Sequence, residues 1–137
     1  MSDIEARISA SFNAQGLMKT LGAELASITA GEVHIALPFS GHLTQQHGYL
    51  HAGATTSIVD SACGYAALTQ APAGREVVTV EFKINLMRPA IGERFLAIGR
   101  VQNAGKSLAV CSGEVHAITA SGSKVVALMQ ATMAYVG

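Results

Sequence analysis

The order of apolar and polar positions divides the chain into two helical stretches and six extended ones. Ile4, Ile8 and Phe12 recur at helical spacing behind Ser2, a residue type that caps helix starts, and Gly16 marks the stop. Leu17, Met18 and Leu21 supply apolar side chains to pack beneath that helix. From Ala23 to Phe39 the pattern becomes two extended runs around a turn at Ala30 and Gly31. In the second, Val33, Ile35 and Leu37 alternate with Glu32, His34 and Ala36 until Pro38 ends it. Residues 40–51, rich in Gly, His and Gln and without a sustained period, read as a loop. Residues 52–69 read as one helix followed by a turn at Pro72 and Gly74. Then Val78, Val80, Phe82, Ile84 and Leu86 alternate with Thr79, Glu81, Lys83 and Asn85. That period of two predicts one apolar and one polar strand face, closed by Pro89. Three further extended runs, at about 93–103, 107–119 and 124–136, are separated by Gly105 and by Ser121-Gly122-Ser123.

Helix, two strands, a second helix and four strands make an α+β pattern: one antiparallel sheet with the central helix against its concave face, in a single domain over residues 1–137. The central helix is built of small side chains nearly all round, so it is expected to be enclosed by protein. Only 13% of residues are charged, against roughly 25% in a typical globular protein, which leaves little to cover the surface of a monomer and predicts a homo-oligomer. The 9 Lys and Arg balance the 9 Asp and Glu, so no broad field exists to draw in a nucleic acid. No apolar run approaches the roughly 18 residues of a membrane helix. Asp3 and Glu5 stand where a signal peptide would carry positive charge, so the expected address is the cytosol, with no membrane partner. Cys63 and Cys111 are too few for a disulfide framework and read as reduced, buried small hydrophobes.

Between Glu32 and Arg75, Asp60 is the only Asp, Glu, Lys or Arg. It falls in the middle of the central helix, where Thr56, Ser57, Cys63 and Gly64, three or four positions away, offer space and hydroxyls but no cation. A carboxylate so placed is costly. It either faces a wet edge, fixes register against a partner chain, or carries chemistry. Immediately upstream, Gln45-Gln46-His47-Gly48-Tyr49-Leu50-His51-Ala52-Gly53 delivers the chain into the helix. The first turn of a helix presents unpaired N–H groups, so Ala52 and Gly53 can aim backbone donors at a carbonyl oxygen that becomes negative. Asp60 lies nine positions beyond His51, roughly 13 Å along one helix, too far for both to touch one reacting carbon. A catalytic reading therefore needs two antiparallel copies of the helix at a twofold interface.

The segment from Gln45 to Asp60 resembles the signature of hotdog-fold acyl-CoA thioesterases of the phenylacetate-degradation (PaaI-like) type. The family pattern Gly-x-x-His-Gly-Gly, followed by an acidic residue in the helix, is present as Gly48-Tyr49-Leu50-His51-Ala52-Gly53 with Asp60 at the acidic position. The polar residue six before the His is Gln45, and the run VEFKINLMRPAIGE is similar to the family's third strand and its exit. The resemblance implies a hotdog fold, a sheet wrapped around a central helix. It implies Asp60 as nucleophile or general base, the Ala52 N–H on the thioester carbonyl, and Gln45 and His51 positioning the thioester or the water. Thr79 matches a Ser or Thr position that helps hold water near the acid. Gly53, Gly64, Arg88 and the Gly105-Lys106-Ser107 turn fall on substrate-binding stretches, with Arg88 and Lys106 toward the phosphates of coenzyme A. Two departures stand out. Ala52 replaces the usual first Gly, and Gly64 stands where relatives acting on aromatic acyl groups often carry Ser or Thr.

Other chemistries fit less well. His47 and His51 are four apart, but Gly48 occupies the position where a zinc protease helix has Glu, and the pair precedes the helix, so no metal is expected. Ser57 and Ser61 lack a nucleophile elbow, and Gly105-Lys106-Ser107 lacks the spacing of a phosphate loop. A thioester carbonyl is electrophilic and its thiolate leaves readily, so one carboxylate and an oxyanion donor suffice without a cofactor. The expectation is an acyl-CoA thioesterase acting as a homodimer or a dimer of dimers. Two alternatives remain. A hotdog dehydratase would need a catalytic His in a Pro-Gly loop, and no Pro lies between Phe39 and Ala71; a non-catalytic acyl-CoA-binding module would be expected to carry an attached DNA-binding or transport domain.

Overall fold

The computed structural model describes residues 2–137. Helix α1 spans Asp3–Ala14 behind a reciprocal cap: the Ser2 hydroxyl accepts from the Glu5 N–H and the Glu5 carboxylate accepts from the Ser2 N–H. Gly16 does not simply end it. The chain turns at Gln15 and begins a second short helix, α2 (Gly16–Leu21), which buries Met18 and closes at Gly22 with a left-handed φ of 79°. Its six residues are too few for periodicity to reveal. Strands β1 (Glu24–Thr29) and β2 (Glu32–Pro38) form a hairpin; a one-turn 3-10 helix (Gly41–Leu43) and a loop closed by the Thr44–Leu50 bridge lead to α3 (Ala52–Leu68). Strands β3 (Glu76–Leu86), β4 (Arg94–Ala104), β5 (Leu108–Thr119) and β6 (Gly122–Val136) complete one antiparallel sheet in the order β1-β2-β4-β5-β6-β3. Strand β3, first of the last four in sequence, is thus an outer edge. No described helix is long and apolar enough to cross a membrane.

Helix α3 lies in the hollow of the sheet, across β2, β4 and β5. The approach is close because Gly99 on β4 presents no side chain: a Cβ there would sit 2.4 Å from the carbonyl carbon of Ala62. Ile58, Val59, Ala62, Cys63, Ala66 and Ala67 are fully buried against Val33, Ile35 and Leu37 of β2 and Ala109, Cys111 and Val115 of β5. The expectation that α3 is enclosed all round holds for this face only. Gly53, Thr56, Ser57, Asp60, Ser61 and Gly64, at spacings of three and four, form a stripe of small and polar residues that the chain itself leaves partly open.

The even alternation expected of β3 is broken by a bulge. Thr79 pairs with Met133 and Glu81 with Thr132, so Val80 is the extra residue. Opposed residues share a face, so Thr79 lies on the inner side with buried Met133. Beyond the bulge the inner face passes to Phe82, Ile84 and Leu86, opposite Ala131, Met129 and Ala127. Val78 and Val80 are turned outward and are 50% and 57% exposed. Pattern alone places Val78 with Phe82; the bulge puts Thr79 inside instead, which decides where its hydroxyl goes.

Candidate active site

The candidate site falls into two halves on α3, one at the middle of the helix and one at its start. The first is built on the middle of the helix. Asp60 is half-buried, and the Thr79 hydroxyl, brought inward by the β3 bulge, donates to its Oδ1 at 2.8 Å. Burial pushes the Asp60 carboxyl above its ordinary value, and the Thr79 hydrogen bond pulls it back down. Asp60 and Thr79 line a cavity of about 270 Å³ together with Ser61, Gly64, Tyr65 and Val77. Gly64 opens the space next to the acid, since a Cβ there would meet nothing within 4 Å. Two lining groups come from afar. The Tyr65 hydroxyl receives a hydrogen bond from Gln15 Nε2 at 2.8 Å and lies 3.0 Å from Ser11 Oγ, both at the end of the amino-terminal helix.

The second half-site is built on the helix start. His51 caps α3: its Nδ1 accepts from the Gly53 N–H at 2.7 Å, and its carbonyl accepts from Ala54 and Thr55. Glycine at 53 suits this contact, since a Cβ there would stand 3.0 Å from His51 Nδ1. The Gly53 amide expected to serve as a donor is therefore occupied. Among the described residues the Ala52 N–H is the one amide of the first turn with no protein acceptor. With Nδ1 accepting, the neutral His51 ring carries its proton on Nε2. Gln45 organises the preceding loop, its Oε1 accepting from the N–H groups of His47 at 2.6 Å and Tyr49 at 3.2 Å, while its Nε2 has no acceptor among the described residues. Gln45 and Ala52 line a cleft of about 180 Å³ with Thr55, Leu86, Arg88 and Pro89.

Within one chain these halves stay apart. The cavity at Asp60 and the cleft at Ala52 share no lining residue, and the eight positions of continuous helix between the two residues span roughly 12 Å. Arg88 borders the cleft and donates from Nη1 to the Val125 carbonyl at 2.5 Å. Gly105, Lys106 and Ser107 form the β4–β5 hairpin and line neither half. The Ser107 carbonyl accepts from the Tyr135 N–H, which fixes that hairpin beside the end of β6 that pairs with the start of β3. His47 packs near Tyr49, ring centres 6.1 Å apart. Cys63 and Cys111 are buried; burial pushes the Cys111 thiol up to about 11 and Cys63 higher still, so both are inert. Sequence reasoning missed Ser11 and Gln15, because a contact spanning 50 residues or more leaves no local pattern. It also missed Lys124, which joins Arg88 in a neighbouring groove of about 460 Å³.

A family model described as Thioesterase superfamily matches residues 47–124, the stretch from the loop before α3 to the start of β6. A thioesterase family protein from Silicibacter pomeroyi is 38% identical, with a TM-score of 0.94 over 97% of this chain and 98% of that one. The conserved protein PA5202 from Pseudomonas aeruginosa is 30% identical, with a TM-score of 0.81 over 89% and 94%. The PaaI protein of the phenylacetic acid degradation operon of E. coli, 23% identical with a TM-score of 0.86 over 98% and 94%, shares the fold. With the wrapped helix, the isolated acid and the capped helix start already in place, these matches identify the chain as a hotdog-fold member of the thioesterase superfamily, a thioester hydrolase.

Proposed function

We propose that the protein hydrolyses acyl-CoA thioesters at two equivalent sites of a cytosolic homodimer, each combining Asp60 and Thr79 of one protomer with the partner's Gln45 and Ala52. One observation carries this reading. Strand β3 holds both half-sites at its ends: Thr79 on Asp60 near its start, and Leu86 with Arg88 against the Ala52 cleft at its exit. It is an unpaired edge strand, and Val78, Val80, Phe82, Leu86 and Met87 on or beside it are 44–57% exposed. Antiparallel pairing of β3 with a second copy satisfies the edge, covers those side chains, and lays the Asp60 end of one chain against the Ala52 end of the other. The open polar stripe of α3 then faces the same seam. The β4–β5 hairpin with Lys106 flanks the assembled site from the Asp60 side and Arg88 flanks it from the other, which suits the phosphates of coenzyme A. The low surface charge further favours a dimer of dimers.

In the assembled site the thioester oxygen lies against the Ala52 N–H, and the Gln45 amide and the His51 Nε2–H steady the substrate or the water. The Asp60 carboxylate, oriented by Thr79, acts in one of two ways. As general base it takes a proton from water while the water oxygen bonds to the carbonyl carbon; the tetrahedral oxyanion collapses, the C–S bond breaks, and the thiolate leaves. As nucleophile its own oxygen bonds to that carbon and displaces the thiolate, and water then opens the resulting anhydride to the free acid and Asp60. Both routes use the same two half-sites.

The test is a complementation of two crippled chains. Asp60→Asn removes the acid. Ala52→Pro removes only the N–H donor, because proline is tolerated at the first helical position and His51 already has the extended ψ of 140° that a residue before proline adopts. Each variant alone is expected to release thiol from acyl-CoA at least about a hundredfold more slowly than wild type. Chains denatured together and refolded should recover about a quarter of wild-type activity, since half the dimers are mixed and each mixed dimer has one intact site. No recovery would refute the shared site; a wild-type chain that binds acyl-CoA and releases no thiol would refute the activity itself.

A further inference from the structure

We infer that the β3 edges of the two protomers meet in one register, with Phe82 opposite the partner's Phe82 on the twofold axis and Glu81 opposite the partner's Lys83 on either side of it, so that these charges select the partner chain. The inference rests on the paired-edge dimer proposed above and deepens it by fixing which residues touch. A twofold axis perpendicular to the sheet keeps the inner faces of both copies on the same side, and residues opposed across an antiparallel pair share a face. An inner residue of β3 therefore meets an inner residue, and the axis passes through a residue that faces its own copy.

Beyond the bulge Glu81, Lys83 and Asn85 lie on the outer face and Phe82, Ile84 and Leu86 on the inner one. Centring the pair on position 81 sets Glu81 against its own copy, and centring it on 83 does the same with Lys83; both oppose like charges directly. Centring on 84 leaves Lys83 opposite the partner's Asn85 and carries Thr79 past the end of the partner's β3 at Leu86. Centring on 82 brings Glu81 and Lys83 together, and symmetry makes the pair twice. The edge itself agrees. Phe82 is 44% exposed, and a facing copy covers it. Lys83 has no partner among the described residues, and Glu81 has only the Thr132 hydroxyl at 3.3 Å. A hollow of about 290 Å³ bordered by Glu81, Phe82, Lys83, Gln130 and Thr132 leaves room along this edge for the partner's side chains. The register also serves catalysis. Because Val80 is the extra residue, Thr79 takes the next inner place after Phe82, opposite the partner's Ile84 and beside the partner's Leu86, which lines the Ala52 cleft.

The test has a covalent arm and a charge arm. Oxidation with diamide should link Phe82→Cys into a covalent dimer on a gel run without reductant, because opposed Cα atoms of an antiparallel pair stand roughly 4.5–5.5 Å apart, within disulfide reach. Ile84→Cys should stay unlinked, since its own copy lies roughly 13–14 Å along the strands. The native Cys63 and Cys111 are buried and take no part. In the charge arm, Glu81→Lys and Lys83→Glu should each self-associate at least about tenfold more weakly than wild type in sedimentation at low salt. Their equimolar mixture restores opposite charges at both pairs and should associate like wild type, as should the double exchange Glu81→Lys/Lys83→Glu alone. Linking of Ile84→Cys in place of Phe82→Cys, or single charge variants that associate like wild type, would overturn the register while the dimer stands. A wild-type chain that sediments as a monomer at concentrations where it releases thiol would refute the paired-edge dimer, and the register with it.

Discussion

Replacing Thr79 by Val isolates one hydrogen bond at the acid. The two side chains have nearly the same shape, so the β3 bulge persists while the hydroxyl's 2.8 Å hydrogen bond to Asp60 Oδ1 is lost, together with its weaker 3.4 Å contact with Met133 Sδ. Burial raises the Asp60 carboxyl and Thr79 lowers it, so removal of the hydroxyl lets burial act unopposed. Hydrogen bonds to charged groups contribute about 1.5–3 kcal/mol when sequestered. Asp60 is only half-buried and water can take part of the vacancy, so about 1.4 kcal/mol is a fair magnitude, equivalent to about one pH unit. In the proposed mechanism the carboxylate is the active form, so activity is expected to fall as pH drops through its pKa. The acid limb of kcat/KM should therefore move upward by about one unit in Thr79→Val, with the plateau at higher pH only modestly reduced. The assay is thiol release at saturating and limiting substrate from pH 4 to pH 8, with circular dichroism to verify folding at each pH. A limb that stays in place, or one that moves to lower pH, would refute the assignment of that limb to Asp60 held by Thr79.

Three other outcomes follow from the packing and the charges. Gly99→Ala should lower stability in urea unfolding by about 3 kcal/mol or more, because the new methyl meets the Ala62 backbone. Gly113→Ala should cost less, since its nearest neighbours are the side-chain atoms Val59 Cγ2 and Cys63 Sγ. Val80→Asp puts a charge on the exposed apolar edge of β3, and sedimentation should show the proposed dimer dissociating, with thiol release lost although Asp60 is untouched. On the outer sheet face Arg100 bridges Glu32 and Glu114, each at 2.8 Å, and His34 bonds Glu32 at 2.6 Å. The His34 and Arg100 bonds hold Glu32 below the usual glutamate value, and the Arg100 bond does the same for Glu114. Their contribution to stability is present above the ordinary glutamate pKa of 4.5 and lost as pH falls through the lowered values. Arg100→Met should therefore be less stable than wild type at pH 7, with the gap closing toward pH 3 in thermal melts.

How much was legible in the sequence is clearest residue by residue. Ser2 with Glu5 announced the first helix, and Ile8 and Phe12 its buried side, because a cap and a 3.6-residue period are local properties. Asp60 stood out because a lone carboxylate among small apolar residues needs a reason wherever the helix lies, and the Gln45–Gly53 segment declared a helix start with free donors. What escaped were features set by distant contact. Alternation in residues 78–86 was read as one apolar face, yet a bulge at Val80, fixed by pairing with β6, turned Thr79 inward onto Asp60. The Gly53 amide was a donor in principle, and a ring nitrogen two residues away had already taken it.

By itself, then, the sequence determined the elements, the wrapped-sheet class and the isolated acid, since these depend on spacing, propensity and the cost of an unpaired charge. The tertiary structure alone decided that β3 becomes an edge beside β6, that Ser11 and Gln15 reach Tyr65, and that the two halves of the candidate site stay apart within one chain. The pairing of β3 with β6 and such side-chain meetings join residues about 40 or more positions apart, and which of the many possible long-range closures wins is settled by total burial and hydrogen bonding rather than by any local pattern.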